Sequence, residues 1–167
     1  MAEGYTIQLS QKRLDLLTGQ MGIDKDALDE EFVRQPNLYW EVAHEYSRAM
    51  GMKDQLRHEI DLTKAELDKT IRDRYERDGG RLTEAKLESE ILNTQRMADI
   101  LNEYDQWKYM TEVWNSLKEA TSQRAYALRD LAQLHISGYY ATSPIKEVSD
   151  DIKASRVREA IRQKLRE

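Results

Sequence analysis

Asp78-Gly79-Gly80-Arg81-Leu82 interrupts what is otherwise about a hundred residues of helical apolar spacing. Upstream, Asn37 to about Arg77 carries apolar residues at helical intervals and contains no proline. Downstream, Thr83 to about Ile136 does the same. Two helices this long, joined by a tight glycine turn, bury their apolar faces against each other or against other chains. The pattern predicts an all-α chain built on a long, coiled-coil-like antiparallel helical hairpin, with its turn at 78–82.

In the upstream arm Leu38, Ala49, Ile60 and Ile71 recur every eleven residues, and Leu56 to Leu67 repeats that step. Such a repeat predicts a straight or slightly right-handed arm. At about 1.5 Å per residue this arm spans about 60 Å and the downstream arm about 80 Å. Thr83 is the expected N-cap of the downstream arm, with Glu84 at the positive end of its dipole. Its apolar positions include Leu87, Ile91, Ala98, Leu101, Tyr104, Trp107, Met110, Trp114, Leu117, Leu128 and Leu131. Folding about Gly79-Gly80 pairs positions whose numbers sum to about 159, so that Ala49 faces Met110 and Met52 faces Trp107. Small residues then meet bulky ones, as close packing requires. The longer arm leaves Leu128 and Leu131 without partners inside the hairpin, a surplus that residues 1–36 or further copies of the chain would cover.

Residues 1–36 read as a separate packing segment. Tyr5, Ile7 and Leu9 alternate as in a short extended stretch, Gln11 to Gln20 reads as a short helix, and Asp24 caps another over Lys25 to Val33, with Leu28 and Phe32 inward. Pro36 marks the boundary of the hairpin, 37–137, because its predecessor is biased away from helix. Trp40 then staples the N-terminal segment to the hairpin. Beyond Ser137-Gly138 the chain reads as a linker and a short amphipathic C-terminal helix, 138–167, through Ile145, Val148, Ile152, Ala160, Ile161 and Leu165.

Charged residues make up 34% of the 167, with a formal net charge of -5, which excludes a chain basic over its whole surface but not a local basic patch. The absence of cysteine removes disulfide and thiolate chemistry and suits a reducing cytoplasm. The N-terminus lacks the pattern of a signal peptide, and no run approaches the roughly 20 apolar residues of a membrane span. His44, His58 and His135 have no carboxylate or cysteine at metal-ligand spacing and read as rim residues. No nucleophile motif, phosphate loop or dinucleotide fingerprint is present, so the expectation is a non-enzymatic protein with neither cofactor nor metal. Trp107 and Trp114, one heptad apart, read as core.

Cations gather at the hairpin tip: Lys69, Arg72, Arg74, Arg77, Arg81 and Lys86, with Tyr75 among them and four acids diluting them. Such a patch contacts phosphates and offers an aromatic for base stacking. Equally, it is the ordinary charge mixture of a solvated helix end.

Ile23-Asp24, Leu28, Glu31 and Leu38-Tyr39 form I-D-x3-L-x2-E-x6-L-Y; Asp73-x-Tyr75 precedes the glycine turn, and Arg124-Ala125-Tyr126-Ala127-Leu128 lies near the end of the second arm. In this order the residues resemble the UvsY family, the recombination mediators of tailed phages, over about residues 20–136. The resemblance implies a ring-like homo-oligomer, of which a heptamer is one size, in the cytoplasm of an infected host cell. It implies binding to single-stranded DNA, displacement of single-strand DNA-binding protein, and loading of a RecA-like recombinase. It places the DNA contacts in the basic segment before the turn. Lys69 stands at the family's lysine, whereas its next arginine falls on Ile71, beside Arg72. The expected nucleic-acid-binding set is Lys69, Arg72, Arg74, Tyr75, Arg77 and Arg81, with the tail cations Lys153, Arg156, Arg158 and Arg162 as the alternative path. The competing reading is a structural or assembly coiled-coil protein without a nucleic-acid ligand.

Overall fold

The computed structural model describes residues 5–138 and contains four helices among them. They are α1 (Ile7–Thr18), α2 (Leu28–Arg77), α3 (Glu84–Leu92) and α4 (Gln95–Ile136). The anticipated C-terminal helix lies outside the described residues. α2 and α4 pack along their lengths as the arms of an antiparallel hairpin. The all-α hairpin read from the sequence is the architecture of the chain.

The eleven-residue repeat is the buried stripe of α2: Leu38, Ala49, Ile60 and Ile71 are all buried, as is Leu56. Facing them, Met97, Ile100, Trp107, Met110, Trp114 and Leu117 line α4. Trp107 and Trp114 are core residues, as their heptad spacing implied. Cross-arm bonds join Gln35 to Thr121, Glu66 to Arg96 and Tyr75 to Glu90. They follow the pairing expected from folding about the glycines, to within a few residues.

Pro36 does not end a helix. α2 starts at Leu28 and runs through it, so the division at residue 36 and the separate helix at 25–33 are both corrected. An interior proline removes one ladder bond, the one Phe32 carbonyl would have accepted, and costs about 3 kcal/mol. Pro36 and Phe32 are both exposed. Glu31 and Gln35, in the turn before the proline, are bonded to α4. These contacts hold the helix through the break. Asp24 does not cap α2 either. Its carboxylate accepts from the Asp26 amide at 2.9 Å, Ala27 is the cap residue, and Asp29, Glu30 and Glu31 supply negative charge to the first turn.

At its start, α2 gains the turns that the far end of α4 needs. Leu128 is buried within the single chain, without a further copy to cover it, and Leu131 is half-buried. α1 completes a three-helix bundle at this end. Thr6 caps it, so Ile7 and Leu9 are helical and the extended reading of this stretch fails. Tyr5 lies 5.3 Å from Trp107 between ring centroids, and Ser10 accepts from the Trp114 indole at 2.8 Å. Tyr5 hydroxyl also donates to Glu45, a buried carboxylate paired with Arg13 and Arg48. Burial, then the bond to Glu45, push the Tyr5 hydroxyl pKa up to about 12. Tyr5 and Ser10 are thus the staple of the N-terminal segment. Trp40, expected in that role, is 65% exposed and stacks on His44.

The downstream arm is not continuous. Asn93 ends α3 and Thr94 opens α4, accepting from the Met97 amide and donating to Ile91 carbonyl at 2.8 Å. No helix among the described residues is long and apolar enough to cross a membrane.

Candidate nucleic-acid interface

The tip is shaped by two glycines with different tasks. Gly79 has φ +66°, a left-handed conformation that costs side-chain-bearing residues about 1–2 kcal/mol. Gly80 donates its amide to Tyr75 carbonyl at 3.0 Å, and a Cβ there would stand 3.0 Å from the Tyr75 ring. The chain thus folds tightly over Tyr75 before Thr83 caps α3 by accepting from the Lys86 amide.

This fold brings acids from the second arm to the level of the cations of the first. Arg72 bridges Asp68 at 2.7 Å and Glu84 at 2.9 Å, and those two carboxylates hold the guanidinium firmly charged. Arg74 pairs with Glu90, which also accepts from the Tyr75 hydroxyl. The Tyr75 hydroxyl first, then Arg74, hold the Glu90 carboxyl below the usual carboxylate range. Lys86 nitrogen lies 4.9 Å and Arg74 carbon 5.3 Å from the Tyr75 ring centre. Tyr75 is half-buried, packed against the core and flanked by its own cations, so it is a pillar of the tip rather than an open stacking platform.

Six residues were expected to form one site, and the structure divides them. Arg72, Arg74 and Tyr75 are engaged within the tip. Lys69 and Arg81 are exposed with no carboxylate partner among the described residues. Among the described residues, exposed Arg77 bonds only to Asp73 carbonyl, through its Nε at 3.1 Å, and its terminal nitrogens have no partner there. These three cations can meet phosphates without first breaking an ion pair.

At the opposite end of the hairpin stands a cluster that charge counting did not find. Arg124 is only 4% exposed. It donates to Met21 carbonyl at 3.2 Å, Gly22 carbonyl at 2.8 Å, Gln35 Oε1 at 2.5 Å and the Glu31 carboxylate. Gln35 in turn donates to Thr121 carbonyl at 2.7 Å, and Glu31 accepts the Asp24 amide at 3.1 Å. The bond from Arg124, then the Asp24 amide, hold the Glu31 carboxyl below its ordinary range against the opposing effect of burial. Glu31 and Arg124, with the backbone amide of Asp24, three residues of the motifs quoted above, therefore meet at one junction. They join both arms to the 19–27 connection. The three histidines are exposed. Comparison with protein-family models, curated proteins and solved structures yields no match to this chain.

Proposed function

We propose that this chain is a non-enzymatic recombination mediator. It acts as a homo-oligomer that binds single-stranded DNA at the hairpin tips, displaces single-strand DNA-binding protein and helps load a RecA-like recombinase. The observation that carries the reading is the exposed trio Lys69, Arg77 and Arg81, cations without carboxylate partners among the described residues, at one end of the hairpin. One tip holds too little net charge to bind a strand tightly. Several tips held side by side raise the effective concentration of weak contacts, which is why the reading requires an oligomer. Contacts of this kind are made to phosphates and carry little sequence preference.

The engagement of Arg72 and Arg74 by Glu84 and Glu90 favours a second reading, an assembly or scaffold protein whose tip charges only close the hairpin. Oligo-dT binding across a salt series separates the two. On the mediator reading, Lys69→Ala/Arg81→Ala weakens binding on all sequences and flattens the log–log salt slope by about 0.7 per lost contact. On the scaffold reading the parent protein shows no salt-sensitive binding at all. Light scattering with and without oligo-dT supplies the oligomer size, and a monomer in both conditions rules out the mediator reading.

A further inference from the structure

The first half of α2 carries a second apolar row, distinct from the stripe that faces the bundle. Phe32, Pro36, Tyr39, Ala43, Tyr46 and Met50 follow one another at alternating intervals of four and three. Phe32, Pro36, Tyr39 and Met50 are exposed. Ala43 and Tyr46 are half-buried, and the Lys118 ammonium lies 4.1 Å from the Tyr46 ring centre. Val33 and Trp40, both largely exposed, widen the row. In a chain that is 34% charged, no charged side chain interrupts it. Glu31 and Glu45 are buried, Arg34 bonds to Gln20, and Arg48 covers the Tyr5 ring. Glu30 and Glu41 fall on the Arg34 and Arg48 side by helical spacing. So long an apolar row on an exposed helix surface marks an interface.

The spacing and the ends of the row identify the occupant. Alternating steps of four and three are the period of a seam into which another helix packs, knob into hole. One further step at each end reaches Asp29 before Phe32 and Lys53 after Met50. The row is thus closed by an acid at one end and a cation at the other, about 36 Å apart. Lys53 has only a loose neighbouring pair, with Asp54 at 3.7 Å. Two such rows laid in the same direction would set Asp29 against Asp29 and Lys53 against Lys53. Laid in opposite directions, they set each Asp29 against the Lys53 of the other copy. That register also places Phe32 opposite Met50, Tyr46 opposite Pro36 and Tyr39 opposite Ala43, so each aromatic meets a smaller side chain.

We infer that two copies of this chain pair through this seam, antiparallel, about a two-fold axis near Glu41, with an Asp29–Lys53 pair closing each end. The row is self-complementary in this arrangement, as a two-fold interface requires. Such a pair points its two hairpin tips in opposite directions. It is therefore independent of the DNA-binding reading, whose side-by-side tips call for contacts elsewhere on the chain.

Cross-linking of the full chain in the absence of DNA tests the pairing, since the protein has no cysteine of its own. Phe32→Cys and Met50→Cys chains, mixed and treated with a short bis-maleimide, should cross-link to each other, and neither should cross-link to itself. Sedimentation equilibrium of the parent should give an even number of chains. Phe32→Asp/Tyr39→Asp should halve that number while far-UV circular dichroism persists. Asp29→Lys should weaken the pairing severalfold, and Asp29→Lys/Lys53→Asp should restore it. Like-with-like cross-links would show a parallel pair and overturn the inference. So would a monomeric parent, an odd-numbered ring, a folded double aspartate variant of unchanged mass, or a charge swap that restores nothing.

Discussion

The two ends of the hairpin are both closed by arginine–glutamate pairs, yet the pairs differ in kind. At the base, Arg124 and Glu31 are withdrawn from water, and every partner is fixed by backbone or by another buried side chain. At the tip, Arg72 with Asp68 and Glu84, and Arg74 with Glu90, stand largely in solvent. Exposed pairs are screened and contribute little. A buried charge that loses its partner is left uncompensated, and that is costly. The same residue types therefore make the base a structural lock and leave the tip adjustable.

The contrast is most readily broken at the base. Arg124→Ala should cost about 3–5 kcal/mol, because it strands the Glu31 carboxylate and three acceptors at once. Urea unfolding measures it, and Arg124→Lys should recover little, since a lysine cannot reproduce the fork of donors. Loss of under about 1 kcal/mol would mean that water reaches the junction. Proton linkage sharpens the same point. The folded-state pKa of Glu31 is depressed, so its contribution is complete above the ordinary carboxylate range and is lost as pH falls through the depressed value. Stability of the parent should therefore decline in acid, and Glu31→Gln should show a shallower decline. An unchanged acid limb would place the sensitivity elsewhere.

An intermediate effect is expected from the turn. Gly79→Ala forces a side chain into the left-handed region and should cost about 1–2 kcal/mol, with the thermal midpoint as its readout. The smallest effect belongs to the tip pairs. Arg72→Ala/Arg74→Ala should leave the midpoint at moderate salt within error of the parent, and a large drop would show the tip to be as much a lock as the base.

What was legible in the sequence follows from this difference. The hairpin, its turn and its register are set by periodicity and by two glycines, which are local signals. Thr83 and the core tryptophans were legible for the same reason. The continuation of α2 through Pro36 was not, because proline's local penalty is outweighed by Glu31 and Gln35 reaching residues of α4 far along the chain. The break before α4 did leave a readable sign: Thr94, a residue type suited to an N-cap, follows Asn93. At the tip, counting cations overstated the site. A sum over residues 69–86 counts Glu84 only as dilution, not as a partner of Arg72, and omits Glu90, which the fold returns to the side of Arg74. Lys69, Arg77 and Arg81 remain because no carboxylate among the described residues pairs with them.

Native-state hydrogen exchange, with and without saturating oligo-dT, tests the division of the molecule most directly. Amides near Gln35 and Thr121 should exchange only through global opening, and those of residues 69–90 should exchange earlier through local opening. Added oligo-dT should slow exchange in the segment containing Lys69, Arg77 and Arg81 and leave the base unchanged. Protection gained at the base instead, or no change anywhere under conditions where the strand is bound, would contradict the assignment of structure to one end and DNA binding to the other.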